Sequence, residues 1–422
     1  IVVIDGNTND DSYMIDIFNN VFGDNLNITL DDYNKNDFKK NYLDDYSEKK
    51  AICISQKHEG KRSALFTGFS ISLLEKEIMN GNLEFVYCTD SDTTIQTNCI
   101  ENMVSLFDND NVGAVAGNLS IFNKYDSFIS FLSNIRYWFA FNVERAYQSF
   151  TGEVLCISGP IGMYKLNVLQ KVIKEWKNQT FLGNKCSYGD DRHLTNKILE
   201  LSKKVVFTNY ANAETETPDS IYRFYKQQIR WNKSALREFF WSIYFLDKHT
   251  LFMTINVLYM FLYPYLVMGY MLYLLYKGTV FQLGFYLFLL VGLGLVKSIY
   301  GFIMSKNPET LLYFLYGFVY VTVVFPARLW AMVSLNDNSW GTSTRNLMNN
   351  NISLDILSIL LWNSALVSGF IKNIYFSRNE QISQFYFLIG TSGFYVIFSA
   401  FVYFYIYYKK SITSTNTNIN QL

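Results

Sequence analysis

Strand-like and helix-like segments alternate along the first part of the chain. Each predicted strand is a short apolar run bounded by turn residues, and each predicted helix has apolar residues spaced three or four apart. The predicted strands are 1–5, 51–56, 83–90 and 112–122, and the predicted helices are 11–22, 60–78 and 98–107. Alternating strands and helices are typical of an α/β domain with a mainly parallel sheet, in which ligands bind at the carboxyl ends of the strands.

The segment 24–50 is acidic and polar, and we expect it to be a mobile loop. A predicted strand occupies the first residues, and neither an initiator methionine nor a signal peptide precedes it. We therefore expect the sequence to begin inside a domain whose N-terminal part is missing. This domain is expected to comprise residues 1–217.

The remainder of the chain is mostly apolar, with short polar connections. Several segments carry almost no charge and are long enough to cross a hydrocarbon core of ~30 Å. The predicted membrane spans are about 251–276, 279–304, 352–374 and 384–408. An interfacial amphipathic helix at 218–247, which carries QQIRW, is predicted to precede the transmembrane region at 248–410. Residues 411–422 form a polar tail.

A further apolar segment, 308–335, is harder to place because Pro326 and Arg328 interrupt it. It could cross the membrane or lie in the interface as a kinked helix. If the soluble domain and the loop 336–351 lie on one face of the membrane, an even number of spans must separate them. We therefore expect 308–335 to be interfacial or re-entrant. The lysine pair after the last span is then cytosolic, as the positive-inside rule favours.

Composition narrows the classes of partner and site. Hydrophobic residues make up 50% of the 422 residues. Charged residues make up 17%, below the ~25% of soluble domains. The 36 basic and 36 acidic residues cancel, so bulk charge implies no nucleic acid or other polyanion as a partner. The five cysteines have neither CxxC spacing nor zinc-site spacing, which favours reduced cytosolic thiols over a disulfide framework.

The sequence YCTDSDT places Asp90 and Asp92 directly after an apolar strand. Residues two apart in an extended segment face the same side, so both carboxylates point to one place, as a Mg²⁺ or Mn²⁺ site requires. A DxD pair alone is a weak signal and is more often a solvated turn. Asp5 also ends a predicted strand. Alone it would form an Asx turn, whereas beside Asp90 it could hold a nucleotide.

A second acidic motif, GDDRHLTN, begins a predicted helix. Leu194, Ile198 and Leu201 give this helix an apolar face, and Asp190 or Asp191 lies near its N-terminus. An acid at that position is usually an N-cap. The second acid beside the cap favours an additional role, because a carboxylate within hydrogen-bond reach of a sugar hydroxyl can remove its proton.

The segment QQIRW carries Gln227, Arg230 and Trp231 on one face of a predicted helix. Arg230 can bind phosphate through two hydrogen bonds, and Trp231 can stack on a sugar ring. An interfacial helix with a basic face and aromatic residues would have the same composition, so this motif alone leaves both interpretations open. Lys61 could add a cation near a diphosphate, although exposed lysines are common.

Taken in order, the motifs DGN, GKR, TDSDT, SGPIGMY, GDDRHLTN, QQIRW and WGTSTR resemble those of the hyaluronan synthases. These membrane enzymes are related to chitin and cellulose synthases within glycosyltransferase family 2. The resemblance covers residues 1–371. Single motifs occur across the wider family, whereas GDDRHLTN together with QQIRW and WGTS is typical of hyaluronan synthases. The implied fold is an α/β GT-A-type glycosyltransferase domain, followed by interfacial helices and an all-α transmembrane region.

The resemblance implies a role for each motif residue. Asp5 and Asp90 would bind UDP, Asp92 would ligate Mn²⁺ or Mg²⁺ at the diphosphate, and Asp191 would be the general base. The further residues that it places against substrate are Lys61, Cys186, Asp190, Arg192, Gln227, Arg230 and Trp231.

The polar segment NSWGTSTR connects two apolar segments, and an ordinary loop is its simplest interpretation. The resemblance instead implies a gating loop, 336–351, in which Trp340, Thr342 and Arg345 lie over the nucleotide. The loop of the family usually reads WGTSGR. Thr344 replaces the second glycine here, which bears on the flexibility of the loop.

The implied activity is inverting, processive transfer from UDP-GlcNAc and UDP-GlcA to a nascent hyaluronan chain. The protein would be a multi-pass membrane protein in the lipid bilayer with a cytosolic catalytic domain. A chitin synthase that uses UDP-GlcNAc alone would share most of the motifs, although the GDDR and QQIRW spellings argue against it. A transporter with a soluble binding module and a non-processive, membrane-anchored transferase are also compatible with an α/β domain joined to apolar helices.

Overall fold

A computed structural model of the chain describes residues 1–6, 12–23, 25–30, 51–78, 82–338 and 354–377. The strands are β1 (Val2–Asp5), β2 (Asn25–Leu30), β3 (Ala51–Gln56), β4 (Phe85–Cys88), β5 (Thr94–Ile95), β6 (Val112–Ile121), β7 (Gly162–Lys165), β8 (Thr180–Phe181), β9 (Asn184–Lys185) and β10 (Lys204–Thr215).

The α-helices are α1 (Ser12–Val21), α2 (Lys61–Ile78), α3 (Cys99–Val104), α4 (Phe128–Phe139), α5 (Ala146–Thr151), α6 (Leu166–Lys177), α7 (Asp190–Glu200), α8 (Ile221–Ser242), α9 (Leu251–Lys277), α10 (Val280–Ser305), α11 (Tyr316–Val319), α12 (Phe325–Val333) and α13 (Leu354–Ser377). Shorter helical segments of 3₁₀ or π geometry are Ser105–Asp108, Ala140–Arg145, Ile243–Lys248, Pro308–Leu315 and Tyr320–Val324.

The first sheet has three parallel strands in the order β1-β3-β2. All six residues of β3 are buried, which explains its continuous apolar sequence AICISQ. Ile52 and Ile54 pack against Ile71 and Leu74 of α2. The strands predicted at 1–5 and 51–56 and the helices predicted at 11–22 and 60–78 are confirmed to within a residue or two.

The expectation that 24–50 is one mobile loop is wrong for its first residues, because Asn25–Leu30 form β2. This strand pairs with β3 in parallel, from Asn25 opposite Ala51 to Leu30 opposite Gln56. Apolar residues alternate with polar ones in NLNITL, as a strand requires. The acidic composition of the surrounding residues concealed this short alternation.

The second sheet has five strands in the order β4-β7-β6-β10-β5 and is mixed. β6 and β10 are parallel, whereas β7 runs antiparallel to both β4 and β6. The expectation of a mainly parallel sheet therefore describes the first sheet better than the second. Because β7 reverses direction between them, β4 and β6 point the same way, and their carboxyl ends lie at one edge.

Apolar clusters cover both faces of the five-stranded sheet. Ala114 and Ala116 of β6 pack with residues of α2, α6 and α7, including the fully buried Trp176. Val115, on the opposite face of the strand, packs with Met103 of α3 and with Phe141. This packing holds α7, which carries GDDR, against the sheet.

Four helical segments in the described part of the chain are long and apolar enough to cross a membrane: Leu251–Lys277, Val280–Ser305, Pro308–Val333 and Leu354–Tyr375. Three of them match the spans predicted at 251–276, 279–304 and 352–374. The span predicted at 384–408 and the tail 411–422 lie outside the described residues.

The segment Pro308–Val333 differs from the other three in its packing. Within its most apolar window 56% of the residues are buried, against 22%, 11% and 17% for the others. Phe314, Leu315 and Val319 pack against Ile129 of α4 and Ile229 of α8. The segment also combines 3₁₀, α and π geometry instead of one continuous helix. Its interfacial location stays a prediction.

Candidate active site

Asp5 ends β1 and accepts hydrogen bonds from the chain that leads into α2. Its carboxylate accepts from the backbone N–H groups of Glu59 at 3.0 Å and Gly60 at 2.8 Å, and from Nε2 of Gln56 at 2.9 Å. His58 Nδ1 lies 2.9 Å from the same carboxylate. Asp5 therefore fixes the turn that presents Lys61, and its predicted contact with UDP stays a prediction.

Asp90 and Lys61 form an ion pair between β4 and the start of α2. Nζ of Lys61 lies 2.5 Å from Oδ1 of Asp90. Burial opposes the charge of Lys61, but nearby carboxylates raise its pKa above the ordinary value, so the ammonium form is favoured. These carboxylates are Asp190, Asp90 and Asp191.

Gly159 of SGPIGMY lies directly against this ion pair. A Cβ atom at Gly159 would lie 2.9 Å from Nζ of Lys61 and 3.2 Å from Oδ2 of Asp90. A residue with a side chain would have to push the lysine side chain aside, whereas glycine allows the backbone to approach this closely. The segment SGPIGMY therefore lies directly beside Asp90 and limits the space around its carboxylate.

Asp92 is exposed at the same edge of the sheet, where its Oδ1 accepts from Oγ1 of Thr215 at 3.4 Å. No group of three or more His, Cys, Asp or Glu residues that could hold a metal ion occurs among the described residues. Two aspartates nevertheless suit Mg²⁺ or Mn²⁺, because such ions are commonly held by one or two carboxylates together with substrate phosphates. The donor set therefore fits a divalent ion that arrives with a nucleotide diphosphate.

Asp190 and Asp191 begin α7, directly after Gly189 in the left-handed conformation (φ 80°). Asp190 is buried and Asp191 keeps part of its surface open. Oδ1 of Asp191 accepts from the backbone N–H of Arg192 at 2.8 Å, and Oδ2 accepts from Sγ of Cys156 at 3.4 Å. These contacts orient the Asp191 carboxylate.

The pKa of Asp191 is raised, first by burial and then by the negative charge of Asp190. The positive charges of Arg192 and Lys61 act in the opposite direction but do not cancel the effect. A carboxylate with a raised pKa is a stronger base than an ordinary one, as proton abstraction requires. The geometry and the pKa direction both suit a general base.

Gln227, Arg230 and Trp231 lie on α8, and Arg230 lies close to the acidic residues of the site. Burial lowers the pKa of Arg230, while the charges of Asp190 and Asp191 raise it. The exposed ring of Trp231 lies 6.2 Å from that of Tyr137. Oε1 of Gln227 is buried without a hydrogen-bond partner among the described residues.

Cys186 is buried, with 5% of its surface exposed, and lies near Arg237 and Arg62. Burial raises the pKa of its thiol. Its backbone N–H donates to the carbonyl of Gln179 at 3.0 Å. This burial leaves little surface of Cys186 for a ligand. Its predicted contact with the acceptor sugar stays a prediction.

The chain matches known proteins over most of its length. A family model described as chitin synthase matches residues 74–355. Hyaluronan synthase 2 of Rattus norvegicus and that of Homo sapiens are each 36% identical over 400 residues, which covers 91% of this chain and 71% of the relative. Hyaluronan synthase 3 of Xenopus laevis is 35% identical over 393 residues, covering 91% and 69%.

The chain belongs to the hyaluronan synthases. Together with the four apolar helices, this membership identifies an integral membrane protein with a glycosyltransferase domain. The expected resemblance to hyaluronan synthases and the expected GT-A-type fold are confirmed. The match described as chitin synthase is consistent with the expected relation between the two groups.

In this hyaluronan synthase family member, the first residues of the predicted gating loop are held next to the segment that leads into Asp190 and Asp191. Nζ of Lys233 lies 3.0 Å from Oδ2 of Asp337. Oγ of Ser187 donates to the carbonyl of Asn338 at 2.6 Å, and the hydroxyl of Tyr188 donates to that of Asp337 at 2.7 Å. Trp340, Thr342 and Arg345 lie outside the described residues.

Sequence reasoning missed two supports of the site. Arg145 donates to the carbonyl of Cys156 at 3.1 Å and to Oγ of Ser158 at 2.8 Å, so it holds the segment that leads to Gly159. Its segment, NVERAY, mixes polar and apolar residues and carries no short motif that marks this role.

Glu238, buried on α8, is the second missed support. Its carboxylate accepts from Nδ2 of Asn196 at 2.8 Å and from Nε2 of Gln179 at 2.6 Å, and it lies 3.2 Å from Nδ1 of His193. A buried acid needs such partners, and these join α8 to α7. The relative positions of Arg230 and Asp191 depend on this network.

Proposed function

We propose that this protein is a processive, inverting glycosyltransferase that adds GlcNAc and GlcA alternately from UDP-sugars to a growing hyaluronan chain. The observation that carries the proposal is the clustering of four charged residues in a chain related to hyaluronan synthases. Asp191, whose pKa is raised, lies near Lys61, Asp90 and Arg230. A base and cations near one another suit a reaction that removes a proton and releases a diphosphate.

In the proposed reaction, the acceptor hydroxyl oxygen attacks the anomeric carbon of the donor sugar. The new glycosidic bond forms as the bond between that carbon and the diphosphate oxygen breaks. Asp191 takes the hydroxyl proton, and UDP leaves with the bonding electron pair. Lys61 and Arg230 stabilise the negative charge that develops on the diphosphate. One attack on the side opposite the leaving group inverts the anomeric centre.

Asp92, assisted by Asp90, would hold Mn²⁺ or Mg²⁺ in this proposal. Such an ion neutralises charge on the diphosphate leaving group. Asp90 would exchange its contact with Lys61 for one to the bound nucleotide and ion. Lys61 would then be released to contact the diphosphate itself.

The proposal places the catalytic domain on the cytosolic face and uses the apolar helices as the route by which the polymer leaves. Pro308–Val333 would lie in the interface, and its greater burial against α4 and α8 supports that location. The gating loop 336–351 would then lie on the catalytic side, because its first residues are bound to Lys233, Ser187 and Tyr188.

The Asp191→Asn variant tests this mechanism. We expect UDP binding to stay within about 2-fold of the unaltered protein, since binding does not require proton transfer. Polymer synthesis should fall by about 10²–10⁴-fold, the usual contribution of general-base catalysis. The matched control is Asp108→Asn, which changes an exposed aspartate. Polymer synthesis by Asp191→Asn at the unaltered rate would show that another group is the base.

A second candidate function is chitin synthesis from UDP-GlcNAc alone, and the family model described as chitin synthase favours it. The same fold and the same base would serve both reactions. The two differ in donor requirement, so an assay with single and paired donors separates them.

A further inference from the structure

A cavity of about 230 Å³ lies beside the carboxyl ends of β6 and β10. Its walls come from β6, α4, the π-helical segment Ala140–Arg145 and the residues after α10. Among the described residues, none with a proposed part in sugar transfer lines it. It is nevertheless close to that site, because Glu214 in its wall precedes Thr215, whose hydroxyl donates to Asp92.

Three half-buried asparagines from different elements converge in the wall. Nδ2 of Asn118 donates to Oδ1 of Asn212 at 2.8 Å, and Oδ1 of Asn118 accepts from Nδ2 of Asn142 at 3.1 Å. Oδ1 of Asn134 accepts from the backbone N–H of Ile121 at 3.3 Å. These bonds orient the amides, and they leave Nδ2 of Asn134 as a donor and Oδ1 of Asn142 as an acceptor within the described structure.

The indole of Trp138 adds an aromatic surface next to these amides. Aromatic rings of this kind stack on the apolar faces of sugars, while amides bind the polar groups around the ring. The volume is below the ~300 Å³ at which drug-sized sites begin. It therefore suits one sugar unit and not an extended chain.

The charge in the wall argues against an anionic ligand. Lys124 is the basic residue among the lining residues, and its ammonium already lies 3.0 Å from Oε2 of Glu309. Glu214 adds an acidic group. A phosphate or carboxylate would need a cation with free donors. A neutral group that offers both a donor and an acceptor fits Asn134 and Asn142 better, and an acetamido group has that pairing.

Backbone geometry supports a dedicated site. Asn142 belongs to a π-helical segment, Ala140–Arg145, between two α-helices. Such segments are rare and frequently occur at functional sites, because the extra residue in the turn redirects nearby side chains. The same segment contains Arg145, which holds the chain before Gly159.

We propose that this cavity is a second saccharide site that holds one N-acetylated sugar unit through Asn134, Asn142 and Trp138. The identity of the sugar rests on the proposed function, since GlcNAc is one of the two proposed building blocks. Binding itself does not require catalysis and is measured separately from it.

Ligand-observed NMR on the purified chain in detergent tests the proposal. Saturating UDP fills the donor site, and N-acetylglucosamine is then titrated. The measured quantity is the transfer of magnetic saturation from the protein to the acetyl methyl protons of the sugar. Glucose is the matched control ligand, because it is also a neutral sugar but lacks the acetamido group. We expect glucose to bind about 5-fold more weakly, since about 1 kcal/mol of hydrogen bonding is lost. Equal binding of the two sugars would overturn the proposal.

Variants locate the bound sugar. Asn142→Ala and Trp138→Ala should each weaken N-acetylglucosamine binding by about 5-fold or more, while the exposed Asn178→Ala should not change it. Unaltered UDP affinity shows that a variant is folded. If Trp138→Ala has lost UDP binding, the test of the saccharide site rests on Asn142→Ala. Unchanged sugar binding in a folded Asn142→Ala variant would overturn the assignment. Asp191→Asn should bind the sugar normally, so failure of the proposed catalysis and failure of this site are distinguishable.

Discussion

Nζ of Lys61 lies 2.5 Å from Oδ1 of Asp90, and Gly159 packs directly against both side chains. The backbone at Gly159 therefore limits where the pair can move. A Cβ atom there would approach Nζ of Lys61 to 2.9 Å. The lysine side chain would have to shift, and its ammonium would move away from its present position beside Gly159.

The first prediction concerns Gly159→Ala. We expect the KM for both UDP-sugars to rise by about 5-fold or more, because the displaced ammonium no longer meets the diphosphate. Gly23→Ala is the matched control, since among the residues that the structure describes a Cβ atom there meets no other atom within 4 Å. Steady-state kinetics with each donor varied provide the measurement. A Gly159→Ala enzyme with unaltered KM values would show that this close approach is unimportant.

The second prediction concerns the charge of Lys61. Lys61→Gln should weaken UDP binding by about 10-fold to 100-fold, as loss of a charged hydrogen bond usually does. The nearby aspartates would then repel the diphosphate with one compensating positive charge fewer. Lys57→Gln, which changes an exposed lysine on the same connection, should bind UDP normally. Isothermal titration at one fixed metal concentration measures both, and equal affinities in the two variants would contradict a phosphate contact for Lys61.

The third prediction concerns pH. Asp191 acts as a base when deprotonated, so the rate should fall as the pH falls through its pKa. Because burial and Asp190 raise that pKa, the fall should occur at a higher pH than for an ordinary carboxylate of pKa about 3.9. Asp190→Asn removes a negative charge that raises the pKa of Asp191. The acid limb of the pH profile of kcat should therefore move to lower pH. Asp108→Asn is the control, and an unmoved limb in Asp190→Asn would contradict the coupling.

The fourth prediction concerns a buried ion pair between α8 and α13. Nζ of Lys226 lies 2.6 Å from Oδ2 of Asp355, and both side chains are largely buried. Removing one partner of such a pair typically costs about 3–5 kcal/mol, because the remaining charge stays buried. Asp355→Asn should therefore lower the thermal midpoint in detergent, and adding Lys226→Met should restore part of the loss.

An exposed pair at the N-terminal end of α8, between Arg223 on the helix and Asp219 just before it, is the matched control for this cycle. Arg223 and Asp219 are 3.8 Å apart, with 52% and 56% of their side chains exposed. Exposed pairs contribute about 0–1 kcal/mol, so Asp219→Asn should leave the midpoint nearly unchanged. Strictly additive effects of the Lys226 and Asp355 substitutions would show that the two side chains do not stabilise the helix pair together.

Local patterns predicted much of the fold and of the candidate site. β3 and α7 were predictable because their apolar spacing reflects burial within a few residues of sequence. Asp90 and Asp191 were predictable because acids directly after a strand or at a helix start are visible in the sequence. The rule that ligands bind at the carboxyl ends of strands marked Asp90 as a candidate site residue.

Long-range pairing was not predictable from such patterns. The position of β7 between β4 and β6 depends on partners about 50 to 80 residues away, so the mixed sheet could not be deduced from local spacing. The contact of Gly159 with Lys61 and Asp90 depends on that pairing. Arg145 and Glu238 were missed because their partners lie on other elements and no short motif marks them.

The donor requirement tests the central claim most directly. Purified protein is supplied with UDP-GlcNAc alone, UDP-GlcA alone and both together, and the product is sized before and after hyaluronidase digestion. The account predicts long polymer only with both donors, and complete loss of that polymer on digestion. Long polymer from UDP-GlcNAc alone, resistant to hyaluronidase, would contradict hyaluronan synthesis and support a chitin synthase.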